Sequence, residues 1–143
     1  MDMTFNKINN DTTCDCLINA VIDTNSSFSI KTNVSTIRAK DFISKWDKGD
    51  RDATSCRQIC SKKGVSLFKY EENHEDVIKV FKEMFPISPS YKPYINIIRL
   101  YEDSGLVAES PSKRNPFHCD FYQSDDFDYR KVIQIESISL ANV

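Results

Sequence analysis

Glycine is scarce in this chain, with three residues in 143. That scarcity excludes the glycine-rich loops that cradle phosphates. No apolar run approaches the roughly 18 residues that a membrane helix needs. The opening stretch MDMTFNKINND is polar and lacks the apolar centre of a secretion signal. Neither sign of charge dominates, since 19 basic and 21 acidic residues leave a net charge of -2. Nucleic acid and anionic membrane are therefore not expected as main partners, although SKKG (61–64) and SKRN (112–115) are local basic patches. There is no internal repeat and no low-complexity tract. These absences place the chain in the cytoplasm, where thiols stay reduced. The five cysteines are an odd number, which argues against a fully paired disulfide framework.

What remains is an ordinary globular composition, 40% hydrophobic and 28% charged. At this length it predicts a single domain over 1–143 with a real core. Thr12 and Asp15 fit a capping box ahead of an apolar helix, CLINAVI (16–22). FSIKT (28–32) alternates like a strand. STIRAKDFISKW (35–46) and TSCRQICSKKG (54–64) read as helices, the second ending at Gly64. HEDVIKVFKEMF (74–85) is the clearest helix, with Val77, Ile78, Phe81, Met84 and Phe85 on one face. VSLFKY (65–70), YINIIRLY (94–101), LVAE (106–109), FHCDFY (117–122) and VIQIESISL (132–140) are rich in β-branched and aromatic residues, as strands are. The fold class expected is α+β: N-terminal helices, then a mostly antiparallel sheet with one helix inserted.

The cysteines carry the candidate chemistry. On a helical wheel, Cys14, Leu17, Ile18 and Val21 share one apolar side, and Cys16 points nearly opposite. Cys14 is then placed as a small core hydrophobe. A thiol at Cys16, in the first helical turn, has its reactive thiolate favoured by the positive helix end. A nucleophilic cysteine needs a base, and only His74 and His118 exist. His74 opens a helix in the polar context ENHED and reads as part of its cap. His118 begins a strand, and Asp120 two residues on shares its face, where a carboxylate orients an imidazole.

CLINAV (16–21), YINIIRLYE (94–102) and HCDFY (118–122) together resemble the papain-like cysteine peptidases of the ovarian-tumour type. The first stretch is similar to that family's nucleophile helix, the others to its late strand pair. The resemblance implies Cys16 as nucleophile, His118 as base, Asp120 as its orienter, and backbone amides near Asp15 and Cys16 as oxyanion donors. Its implied substrates are peptide or isopeptide bonds, including those of ubiquitin-like proteins. Asp11 stands three residues before Cys14, as the family's approach to the nucleophile does, whereas LINAV aligns with Cys16. Cys14 therefore stays open as the alternative nucleophile.

Two other classes compete. One is a non-catalytic protein-interaction module, with a protein or peptide partner. The other is a zinc-stabilised binding domain with Cys14, Cys16, Cys56 and Cys60 as ligands, although C-x-x-C knuckles are absent. YQSDDFDY (122–129) lacks the glycine and distal glutamate of a calcium loop and reads as a solvated acidic turn. No cofactor is expected. The proline-bearing FPISPSYKPY (85–94) and the segment preceding His118, SGLVAESPSKRNPFH (104–118), read as exposed docking or gating loops.

Overall fold

A computed structural model describes residues 3–10 and 12–143. It is an α+β fold built on one six-stranded sheet in which every neighbouring pair is antiparallel. The helices are α1 (Asn6–Asn9), α2 (Cys56–Lys63) and α3 (His74–Met84). The strands are β1 (Phe28–Thr32), β2 (Val65–Lys69), β3 (Tyr94–Arg99), β4 (Gly105–Glu109), β5 (His118–Gln123) and β6 (Ile133–Ser139), in the spatial order β4-β5-β2-β1-β3-β6.

Alternation along the strands divides the apolar residues between two faces. One face presents Phe28, Ile30, Leu67, Ile98, Val107, Cys119 and Phe121 to a core closed by Ile37, Phe42, Phe127 and Val132 from the connecting segments. On the other face α3 lays Val77 and Phe81 against Phe68, Ile95 and Ile97. Phe81 is fully buried and stacks on Phe68 with ring centres 4.0 Å apart. Each such side chain taken from water stabilises the fold by about 1.5–3 kcal/mol. Phe68 and Leu67 are consecutive and face opposite cores, so β2 is buried on both sides.

Two expected helices are absent. CLINAVI is not a helix: residues 16–19 form a turn, and Val21 then bridges to Val107 of β4 by mutual backbone hydrogen bonds of 2.9 and 2.7 Å. The local cause is Thr12, whose hydroxyl accepts from the Cys14 amide at 3.0 Å. That side-chain turn competes with a helix start. Asp11, on which part of the peptidase resemblance rests, lies outside the described residues. STIRAKDFISKW keeps only a 3-10 turn at Ala39–Phe42, whose Phe42 plugs the first core. The other two helices and all six strands lie where the residue patterns put them.

At one edge, β6 carries a bulge opposite Ile97 and Ile98. Two residues facing one bends an edge strand and blunts it against further pairing.

Candidate functional site

The sheet contains an interruption. β1 pairs with β3 over its whole length, and β2 pairs with β5 from Val65 to Phe68. Between β1 and β2, however, only Phe28↔Lys69 and Ser29↔Phe68 are paired. Beyond Ser29 the two strands part, and the facing edges of residues 30–32 and 65–67 do not pair with each other. A groove of about 830 Å³ opens over this wedge. Its walls are the segment 41–48 and α2 on one side and the end of α3, with Met84 and Phe85, on the other.

The groove is cationic in a chain that is slightly acidic overall. Lys31, Lys45, Lys48, Arg57 and Lys62 line it against one carboxylate, Asp41. Asp41 is already engaged by Arg38, through the Arg38 amide at 2.8 Å and the guanidinium at 3.7 Å. Lys62 is held by Asp50 at 2.6 Å, whose carboxyl that hydrogen bond pulls below its ordinary range. The Lys31 ammonium lies over the rings of Phe85 and Tyr91, 5.1 and 5.6 Å from their centres.

His118, from β5, lines the same groove beside Ser66 of β2. Its Nε2 is 3.0 Å from the Ser66 hydroxyl, and its Nδ1 is 2.7 Å from the Ser110 hydroxyl and 3.3 Å from the Ser110 carbonyl. Asp120 lies two residues along β5, with Oδ1 3.9 Å from Nε2. The Asp120 side chain is almost wholly buried, and that oxygen has no hydrogen-bond partner among the described residues. Burial pushes the Asp120 carboxyl above its ordinary range, opposed by the nearby His118 and by a hydrogen bond from the Ser110 side chain. Gly64 lies directly against it, where a Cβ would come within 2.8 Å of the Asp120 Cβ. The glycine that ends α2 is therefore needed for close packing, since its φ of -85° is open to any residue.

The cysteines behave differently from the expectation of reduced thiols. Cys14 is bonded to Cys56 and Cys16 to Cys60. The geometry is that of two rungs between unlike elements. Two residues of extended chain advance about 6.6 Å, and four residues of helix advance about 6 Å. A C-x-C segment lying along a C-x-x-x-C helix therefore meets it twice in the same direction. The Cα separations of 5.4 and 5.2 Å match ordinary disulfides. A sulfur so bonded offers no thiolate, either as nucleophile or as zinc ligand. In this structure neither Cys16 nor the alternative Cys14 is a free thiol, and Cys14, Cys16, Cys56 and Cys60 hold one another in place of a metal. Among the described residues no cluster of three metal-ligating side chains occurs. Cys119, the one free cysteine, is buried in the first core, and burial pushes its thiol up to about 11. It is chemically quiet.

The remaining candidates have structural partners. His74 stacks flat on Tyr70, with ring centres 4.2 Å apart, at the start of α3. In the acidic tract, Asp125 accepts from the amides of Asn6 and Lys7 and from the Thr4 hydroxyl, at 2.9, 3.0 and 2.7 Å. These bonds lower its carboxyl's pKa and cap α1 from the far end of the chain, 118 to 121 residues away. The turn is thus a helix cap, beyond the solvated turn expected. Ser66, Lys31 and Ser110 were not among the residues singled out. Each is an ordinary polar residue of a strand or loop, and only the pairing of strands brings them to one groove.

Comparison with protein-family models, with curated proteins and with solved structures finds no match to this chain.

Proposed function

We propose that this protein is an interaction module that captures an extended, acidic segment of a partner protein in the wedge between β1 and β2. The observation that carries the reading is the early end of the β1–β2 ladder beneath a cationic lining. Two parted strand edges offer backbone donors and acceptors to an incoming strand, which is how sheets recognise extended peptides. The lysines and Arg57 supply the complementary charge and steer acidic partners to the groove. Phe68 and Phe85 offer apolar contact along its floor and wall.

The two disulfides favour work in an oxidising compartment, where such bonds persist, over the cytoplasm that the polar amino terminus suggested. No helix among the described residues is long and apolar enough to cross a membrane. α2, which bears Arg57, Gln58 and Ser61 on the groove wall, also carries Cys56 and Cys60. On this reading the staple holds the wall in place before the partner arrives, which lowers the entropic penalty of binding.

Fluorescence anisotropy with a labelled decapeptide of alternating Glu and Val tests the reading. Binding is expected to weaken at least tenfold in Lys48→Glu/Arg57→Glu, and to weaken with added salt as screening shortens the reach of charge. N-methylation of alternate peptide amides should weaken it further. Equal affinity for a Lys/Val counterpart, or indifference to N-methylation, would sink the proposal.

A further inference from the structure

We propose that Ser66 and His118 form a nucleophile and general base able to hydrolyse carboxylic esters that carry a second, negatively charged group. This goes beyond capture of a partner segment: it uses the same groove, and what carries it is the contact between Ser66 and His118.

The contacts of the imidazole favour one tautomer. The Ser110 carbonyl, 3.3 Å from Nδ1, can only accept a hydrogen bond. A proton on Nδ1 makes hydrogen bonds of all three contacts, and Nε2 then presents its lone pair to the Ser66 hydroxyl at 3.0 Å. That is the arrangement a general base needs towards a serine nucleophile. Ser110, through its carbonyl and its hydroxyl at 2.7 Å, plays the orienting part that an aspartate takes in other triads. The buried Asp120 Oδ1, which has no hydrogen-bond partner among the described residues, is 3.9 Å from Nε2. A carboxylate there stabilises the imidazolium formed when Nε2 takes a proton.

Access is provided by the wedge. Ser66 is exposed and, with His118, borders the groove. If the β1–β2 register continued past Ser29↔Phe68, Lys31 would stand opposite Ser66 on the same face. The parted strands instead leave a space in which a carbonyl carbon can approach the serine oxygen. The cationic lining sets the preference for an anionic substrate.

The Ser66 oxygen attacks the ester carbonyl carbon while its proton passes to His118 Nε2. The tetrahedral intermediate collapses, breaking the bond to the alcohol oxygen, which leaves with that proton. Water then gives a proton to Nε2 and adds to the acyl-serine. Collapse of this second intermediate returns the proton to Ser66 and frees the carboxylic acid. No oxidant or metal enters the balance.

The test uses the full oxidised chain with a fluorophosphonate probe and peptide mapping of the adduct. Covalent labelling is expected at Ser66. It should vanish in Ser66→Ala and slow by about 100-fold or more in His118→Gln, the scale of a lost general base. Circular dichroism and intact disulfides by mass would confirm that both variants are folded. 4-Nitrophenyl hemiglutarate should be turned over faster than 4-nitrophenyl acetate, and adding Lys48→Glu/Arg57→Glu should remove that preference. No label on Ser66, or labelling as fast in folded His118→Gln as in the natural sequence, would overturn the proposal. Binding of the acidic peptide is read separately, so either result stands without the other.

Discussion

One sheet face is covered in two ways. At the α3 end, Val77 and Phe81 seal against Phe68, Ile95, Ile97 and Leu140 in a dry core. At the other end the cover is an irregular segment, residues 12–22, with Ile8, Cys16 and Tyr122 forming a small cluster beneath it. The first cover holds chiefly by burial. The second has too little apolar area to order a loop, and two disulfides with the Lys63 ammonium supply the rest. Lys63, itself buried, donates to the carbonyls of Ile8 and Asn10 at 2.6 and 2.5 Å. The groove lies between these covers. It stays open because neither reaches across β1 and β2, and that is where polar side chains gather.

The largest effect should come from the dry end. Phe81→Ala removes a fully buried ring stacked at 4.0 Å on Phe68, and such truncations typically cost about 3–5 kcal/mol. Urea unfolding would measure it. A loss under about 1 kcal/mol would mean that burial at α3 is not what holds that end.

The stapled end should respond next, and without additivity. Closing the loop of 42 residues between Cys14 and Cys56 removes unfolded-state entropy worth roughly 3–4 kcal/mol. The second rung closes almost the same loop and adds little more. Cys14→Ser/Cys56→Ser, which removes the rung with exposed Cys56, should therefore cost well under half of what removal of both rungs costs. The pair of variants is compared by urea unfolding, with the surviving bond verified by mass. If the outer rung alone cost as much as both, its contribution would be one of packing, and the contrast between the two ends would weaken.

This contrast also explains what could be read from the residues themselves. The α3 end was legible because a helix repeats its apolar residues every three to four positions, and strands alternate. Both signals are local. Helix α3 and the alternation in FHCDFY place Phe81, His118 and Asp120 without knowledge of any partner. The stapled end was illegible for the opposite reason. CLINAVI has helical spacing, but Thr12 turns the chain and Val21 is claimed by β4, a decision made 86 residues away. The disulfides needed C-x-C and C-x-x-x-C to be compared by axial rise rather than by count. The odd fifth cysteine, Cys119, is core packing and hid the two pairs. Ser66 acquires its role only from the β2–β5 register, and the wedge exists only because β1 and β2 part company. One feature of the candidate site was visible, the His118–Asp120 face. In the structure His118 meets the Ser66 hydroxyl of the neighbouring strand, while Cys16 is bonded to Cys60.

The smallest effect, and the one that best separates the groove from the α3 end, concerns Asp120. Among the described residues, the α3 core buries no carboxylate, whereas the groove borders a buried one, Asp120, whose Oδ1 has no hydrogen-bond partner. Burial raises its pKa in the folded chain above the ordinary unfolded value of about 3.9. Between those two values the folded state keeps a proton that the unfolded state has lost. Stability attributable to this group therefore falls as pH rises through that window, and levels off once the folded carboxyl has ionised. Attraction to His118 opposes the shift as the lesser cause. Asp120→Asn keeps the shape that fits against Gly64 and abolishes the titration. The variant should match the natural sequence near pH 3, where both side chains are neutral, and exceed it at pH 7 by on the order of 1 kcal/mol, the scale of an unmet buried polar group. Urea unfolding at the two pH values reads the difference. Parallel curves would show that His118 and Ser110 compensate the buried charge fully, and the groove would then be as relaxed electrostatically as the α3 end is sterically.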